Sequence, residues 1–236
     1  MKTKSLRPSL VITTYNKPGY LHLVLQSSLI QTLLPLEVVV ADDGSGVETR
    51  KLVEKFRETA PFPVKHVWHE DLGFRLAAIR NKGLAVCESE YVISIDGDIL
   101  LHPDFVKDHM HYARDGYFTS GGRISLMPEL TEKMIKTEQL WVKPDDLVLK
   151  KRSKLFRSSL LAKLFLNYKA KSYKYGAGAN MAFWTKDIKA INGFDESFVG
   201  YGFEDFDVML RFMNSGIKKQ YLRYRALTCH LYHPYN

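Results

Sequence analysis

Two carboxylates flank a glycine at Asp96-Gly97-Asp98, directly after the apolar run Tyr91-Val92-Ile93-Ser94-Ile95. The run reads as a buried strand, which puts the acids at its carboxyl end, where open α/β sheets bind ligands. Hard oxygen donors there suit Mg2+ or Mn2+, usually held by one or two carboxylates together with substrate phosphates. Taken alone, the tripeptide reads more simply as an Asp-Gly turn. The rest of the chain reverses that preference.

Two further polar groups end apolar runs in the same way: Thr13-Thr14-Tyr15-Asn16 after Leu10-Val11-Ile12, and Asp42-Asp43-Gly44-Ser45 after Leu36 to Val40. In a parallel sheet such ends share one edge, so groups far apart in sequence converge. A pyrimidine offers an N–H and carbonyls, and a ribose offers hydroxyls. Asp42 or Asp43 can accept from both, while a metal at Asp98 neutralises a diphosphate. No G-x-G-x-x-G follows the first strand, so this nucleotide site has no glycine-rich phosphate loop.

Arg75 and Arg80 open the third helix and can give charge-assisted bonds to phosphate oxygens, although either alone reads as a surface arginine. Asn81 and Gly83 are read as positions that let this helix pack closely on a strand. Near the carboxyl end, Asn192-Gly193-Phe194-Asp195-Glu196 leads through Gly200-Tyr201-Gly202-Phe203 into Glu204-Asp205-Phe206-Asp207. Acids in a first helical turn are stabilised by the macrodipole without any function; the functional reading makes one of them a general base. His230 and His233 end the last strand, from where an imidazole can reach a metal.

The elements that position these groups alternate. Strands are expected at Leu10–Ile12, Leu36–Val40, Val64–Trp68 and Tyr91–Ile95. Helices follow from Pro18, over Glu48–Thr59, through Leu76, Ile79, Gly83 and Val86, and over Pro103–Arg114. Strand alternating with helix means βαβ units and a mostly parallel central sheet flanked by helices. About 126–175 lacks strand signals and reads as a helical, basic insertion or flap. Ala179–Trp184 is then a strand. Glu204–Asn214 is a helix with Phe206, Met209, Leu210 and Met213 on one face, capped at Gly216. Tyr221–Leu231 reads as one closing strand. The whole, 1–236, is taken as a single domain: a nucleotide-binding half to about 115, the insertion, and an acceptor and catalytic half from about 176.

Composition bounds the setting. The 236 residues and their 45% hydrophobic content suit one domain with a full core. Cys87 and Cys229 make neither a disulfide framework nor a zinc motif. No apolar signal segment or membrane span is read, so a cytoplasmic protein is expected. The net charge of +8 is concentrated between Lys150 and Lys174, where no acid occurs and Leu160, Leu161, Leu164 and Phe165 keep helical spacing. Such a segment is either a solvated surface helix or a peripheral contact with an anionic inner-membrane face. It carries no nucleic-acid motif, and no nucleic-acid partner is expected.

With these residues in hand, the chain resembles a glycosyltransferase of the GT-A fold. Leu10 to Phe105 is similar to family 2 enzymes in Val11 to Asn16, Val38 to Ser45, Arg80-Asn81-Lys82-Gly83 and Asp96-Gly97-Asp98, the last as the family's D-x-D. Ala179 to Gly216 resembles β-1,4-galactosyltransferases and bacterial chondroitin-polymerase domains in Ile191 to Glu196 and Gly200 to Asp207.

The resemblance implies an inverting, metal-dependent enzyme that transfers a sugar from a UDP-sugar to a saccharide or lipid-linked saccharide acceptor. It places Thr13, Thr14, Tyr15, Asp42 and Asp43 on the uridine and Phe74 with Arg75 near the nucleotide. Asp98 becomes a metal ligand for Mn2+ or Mg2+, with Asp96 on the ribose or the metal. His230 resembles the distal ligand, with His233 as its substitute. Asp205 becomes the base, and Glu204 holds sugar hydroxyls. Tyr201 stands where galactosyltransferases have tryptophan, and Phe203 where they have glycine. Competing readings are a sugar nucleotidyltransferase, whose glycine-rich loop is missing here, and a non-catalytic nucleotide- or carbohydrate-binding module.

Overall fold

The computed structural model describes residues 6–173, 178–200 and 202–234, with the backbone alone for 149 and 150. The expected alternation is present. β1 (Ser9–Thr14), α1 (Pro18–Leu29), β2 (Glu37–Asp42), α2 (Val47–Thr59), β3 (Val64–Trp68), α3 (Leu76–Ala85) and β4 (Tyr91–Asp96) follow one another. β1 and β2 are buried along their whole length, as strands covered on both faces must be.

Alternation along the strands divides the core. Leu10, Ile12, Val38, Val40, Ile93 and Ile95 pack with Leu21, Val24 and Leu25 of α1 and Val53 and Phe56 of α2. Val11, Val39, Ala41 and Val92 pack on the other side with Ala77 and Ile79 of α3. Gly83 makes that second packing close, since a Cβ on it would lie 3.1 Å from the Ala41 Cβ.

Beyond β4 the chain departs from the sequence reading. A short strand, β5 (Ile99–Leu101), follows the Asp-Gly-Asp turn, then α4 (Phe105–Tyr112), β6 (Tyr117–Gly121) and β7 (Ile124–Ser125). The insertion is helical as expected: α5 (Pro128–Thr137), α6 (Leu149–Arg152) and α7 (Ser159–Phe165), with 3-10 turns between. β8 (Asn180–Trp184), α8 (Thr185–Ala190), α9 (Glu204–Asn214), β9 (Lys218–Leu222) and β10 (Thr228–His230) complete the order. On α9, Phe206, Met209 and Met213 pack as expected, but Val208 and Phe212 are as deeply buried as Met209, and Leu210 is not part of this cluster. Gly216 ends the helix at φ 88°, with the Ile217 N–H donating back to the Phe212 carbonyl.

The central sheet runs β3-β2-β1-β4-β8-β6-β9. β8 is antiparallel to both its neighbours and the remaining pairings are parallel. The carboxyl ends of the other strands therefore share one rim with the start of β8. Tyr221–Leu231 is not one strand. Tyr224 and Ala226 take positive φ of 68° and 47°, which breaks the extended run after β9. β10 then leaves for a second sheet, ordered β5-β10-β7. In it His230 lies opposite Ile99, and the Leu231 N–H donates to the Asp98 carbonyl.

Candidate active site

The polar ends of β1, β2 and β4 are bonded to one another. The Asp43 N–H donates to the Thr14 carbonyl at 2.9 Å. The buried Thr13 hydroxyl donates to Asp96 Oδ1 at 3.1 Å. Gly97 permits this approach, because a Cβ on it would lie 2.6 Å from the Thr13 carbonyl oxygen. Gly44, at φ 101°, similarly lets Asp71 cross above it; a Cβ there would meet the Asp71 backbone at 2.6 Å.

The two acids at the end of β2 make contacts that the sequence reading did not foresee. Asp42 is fully buried. Its Oδ1 accepts the Ser45 N–H at 2.8 Å and its Oδ2 faces His66 Nε2 at 2.9 Å. It holds the turn, with both oxygens engaged inside the protein. Asp43 is engaged on both oxygens, by His69 Nε2 at 2.5 Å and by the Arg75 N–H at 2.9 Å. The sequence reading missed His66 and His69. His66 stands on β3 opposite Val40, two residues before Asp42, and His69 follows directly after β3, so the parallel register of β2 and β3 brings both near the acids.

Thr14 is buried and Tyr15 is exposed, its hydroxyl donating to Asp71 at 2.8 Å. Phe74 is also exposed, and its carbonyl accepts the Gly200 N–H. The Arg75 guanidinium donates to the Glu70 carbonyl and leaves a buried Nε without a partner.

Arg80 overturns its expected role on phosphates. The side chain is 2% exposed. One terminal nitrogen donates to Asp96 Oδ1 at 2.9 Å and the other to Glu204 Oε1 at 2.8 Å. Burial alone would lower its pKa, but Asp96 and Glu204 outweigh burial and keep the guanidinium charged. Arg80 thus joins the end of β4 to the first turn of α9. Glu204, expected on sugar hydroxyls, is buried and has Oε1 committed to this bridge.

Asp98 lies with both candidate histidines. Its Oδ2 is 3.0 Å from His233 Nε2 and 3.5 Å from His230 Nε2. One ligand atom from each residue lies within 4.8 Å of the others, a spacing that could hold an ion. Asp96 stands outside this cluster, on Thr13 and Arg80. The residues fit a divalent cation on a further ground: Asp98 Oδ1 is buried with no hydrogen-bond partner. His233 Nδ1 faces the Pro234 carbonyl at 3.0 Å, the outer contact that typically aims the opposite nitrogen at a metal. Burial would raise the Asp98 pKa, but the two histidines hold the carboxyl well below the usual range.

Asp205 is half-buried, and its Oδ2 accepts the Gly178 N–H at 3.0 Å. A Cβ at Gly178 would lie 2.7 Å from the Asp205 Cβ, so the contact requires glycine. Asn81, read as a packing residue, instead clasps the turn before α9. It donates to the Phe194 carbonyl and to Glu196, and accepts the Phe194 N–H. Phe203, in the place of the family's glycine, sits at φ 77° and is 67% exposed. Tyr201 lies outside the described residues. A cavity of about 790 Å³ near Asn192–Glu196 and α8 contains none of the expected site residues.

Comparison with known proteins accords with this arrangement. The model of glycosyl transferase family 2 matches residues 9–186, and that described as the N-terminal domain of galactosyltransferase matches 160–235. Chondroitin synthase of Escherichia coli is 26% identical over 227 residues, covering 88% of this chain and 32% of its own length. The chain therefore spans about a third of that relative. Among solved structures, a mannosyltransferase of Pyrobaculum calidifontis in complex with GDP-Man and Mn2+ superposes with a TM-score of 0.67 at 19% identity, over 97% of this chain and 58% of its own. S. aureus TarS in complex with UDP-GlcNAc gives 0.67 at 18% identity, over 98% and 60%. The family match across most of the chain, on a sheet whose polar strand ends converge at one rim, makes this protein a member of glycosyl transferase family 2 with the GT-A fold.

Proposed function

We propose that the chain is a metal-dependent, inverting glycosyltransferase. It moves a hexose or N-acetylhexosamine from a UDP-sugar to a sugar hydroxyl of a bacterial cell-surface glycan precursor, of the lipopolysaccharide, O-antigen or capsule kind. One observation carries the reading. Arg80 bonds both Asp96, two residues from the Asp98–His230–His233 cluster, and Glu204, the neighbour of Asp205.

Asp205 is the base. Gly178 orients its carboxylate through Oδ2, which leaves Oδ1 for an acceptor hydroxyl. The hydroxyl proton passes to Asp205 as its oxygen attacks the anomeric carbon from the face opposite the departing UDP, so configuration inverts. Asp98, His230 and His233 would hold the cation, and their mixed oxygen and nitrogen donors suit Mn2+ better than Mg2+. When bound, it supplies positive charge to the diphosphate leaving group. Thr14, Tyr15, Asp43, Phe74 and Arg75 form the nucleotide face.

The donor reading draws support from TarS, solved with UDP-GlcNAc. The mannosyltransferase was solved with GDP-Man, so a guanosine donor belongs in the same screen. Purified protein is given each UDP-hexose, UDP-N-acetylhexosamine and GDP-mannose with Mn2+, against a chelator control. Chelator-sensitive release of UDP from one donor class supports the reading, and indifference to all of them sinks it.

The acceptor is placed at an anionic membrane surface. Leu160 and Leu164, one turn apart on α7, are 70% and 69% exposed beside the exposed Lys163, a combination that favours anionic lipid. Among the described residues no helix is long and apolar enough to cross a membrane. Flotation equal on anionic and neutral liposomes would remove this part.

A further inference from the structure

The far end of the same rim holds a second built site. The ends of β6 and β9 and the 3-10 turn Ser153–Leu155 enclose a cavity of about 470 Å³ lined by Arg123, Lys154, Arg223 and Arg225 with Phe156 and Tyr224. No carboxylate lines it among the described residues.

Only one of its four cations is ion-paired among the described residues. Arg157 is paired with Asp104 and Asp108, and Arg225 shares Asp108 at 3.6 Å. Arg123, Lys154 and Arg223 have no ion-pair partner among the described residues.

The walls are preorganised. Arg223 lies over the rings of Phe165 and Tyr224, 5.2 Å from each centroid. Tyr224 and Ala226 hold positive φ in the turn that presents both arginines, a strained arrangement of the kind that gathers at binding sites. The Arg157 pairs fasten the insertion to α4, and the Ser158 N–H donates to the Tyr224 carbonyl.

The cavity is also tied to the catalytic carboxylate. The buried Asn180 donates to the carbonyls of Gly122 and Ala226, both in the cavity wall. It lies two residues after Gly178, which holds Asp205. The nucleotide face occupies the β2-β1-β4 half of the rim, so the β8-β6-β9 half is left for the acceptor.

We infer that this cavity is an acceptor subsite for a saccharide residue bearing an anionic group, a carboxylate or a phosphate, which the arginines and Lys154 bind while the aromatic rings meet the sugar face. The inference rests on the glycosyltransferase reading but concerns the acceptor alone.

The test uses calorimetry with three disaccharides: one ending in glucuronate, its carboxyl-reduced neutral counterpart, and that counterpart phosphorylated at O6. A charged disaccharide should bind about tenfold tighter or more than the neutral one, the worth of a single hydrogen bond to a charged group. Arg123→Glu with Lys154→Glu should reduce the preference to within about twofold, while Mn2+-dependent UDP affinity stays unchanged. Arg123→Gln with Lys154→Gln serves if the first pair fails to fold.

Equal binding of charged and neutral sugars, or a preference that survives either variant, overturns the subsite. So does cavity-dependent binding confined to phosphatidylglycerol vesicles, which would make the ligand a lipid headgroup. Loss of UDP binding in the unaltered protein would instead sink the proposed function, since the disaccharide comparison needs no donor.

Discussion

Arg80 and Glu204 meet at 2.8 Å although a long stretch of chain separates them. The same guanidinium holds Asp96 at 2.9 Å. A buried cation therefore fixes where α9 begins relative to the Asp96-Gly97-Asp98 turn. Arg80→Lys keeps the charge but cannot fork to two carboxylates. We expect kcat to fall at least severalfold with a smaller change in UDP affinity. Arg80→Ala strands the buried Glu204 and should cost about 3 kcal/mol, the low end of the range because Asp96 is 29% exposed. Urea unfolding of the two variants separates positioning from stability. Unchanged kcat in Arg80→Lys would remove the positioning role.

Asp205→Asn preserves shape and can still accept the Gly178 N–H, but it cannot take a proton. Transfer should drop roughly 10^2- to 10^4-fold while UDP affinity, read by calorimetry, stays close to that of the unaltered protein. Turnover at the original rate would exclude Asp205 as the base.

Asp98→Ala should abolish the Mn2+ dependence of UDP binding. His230→Ala and His233→Ala, made separately, report which imidazole matters more. His233 has the shorter contact and the outer carbonyl, so its loss should weaken Mn2+ more. Spectroscopic titration of Mn2+ by water-proton relaxation measures this directly, and an affinity unchanged from the unaltered protein in all three variants would remove the cation from the cluster.

His109 carries a pH prediction. Burial pushes its pKa down to about 4, and its ring meets the Asn180 amide oxygen at 3.0 Å and the Thr119 hydroxyl at 3.3 Å. A folded pKa below that of the unfolded chain (about 6.5) means the native state disfavours the proton. The contribution is present above about pH 6.5 and is lost as pH falls toward 4. Stability should decline across that window, and His109→Gln should flatten the decline. Melting temperatures between pH 7 and 4.5 that are parallel in the two proteins would show that His109 is not responsible.

Much of this architecture was legible in the residues. The runs Leu10–Ile12, Leu36–Val40 and Tyr91–Ile95 are apolar apart from Glu37 and Ser94 and rich in β-branched side chains, and each is followed by a polar group, so strand and rim could be read together. Asp98 and the histidines were legible as ligand types but not as neighbours. Their meeting depends on β5, β7 and β10, which are too short to carry a periodic signal. The break after β9 was hidden because Tyr224 and Ala226 are unusual residues for positive φ. Arg80 was misread for a different reason. A single arginine in a helix faces solvent far more often than core, and only Asp96 and Glu204, distant in sequence, make its burial affordable. The turn contacts of Asp42 were not legible because an acid after a strand looks the same whether it meets a ligand or closes its own turn.

The second sheet also decides when the Asp98 cluster can exist. Asp98 follows β4, whereas His230 and His233 lie at and beyond β10, so the three groups meet only once β10 has paired with β5. A change that loosens that pairing should therefore disperse the three groups even where the β3-β2-β1-β4 core is left alone.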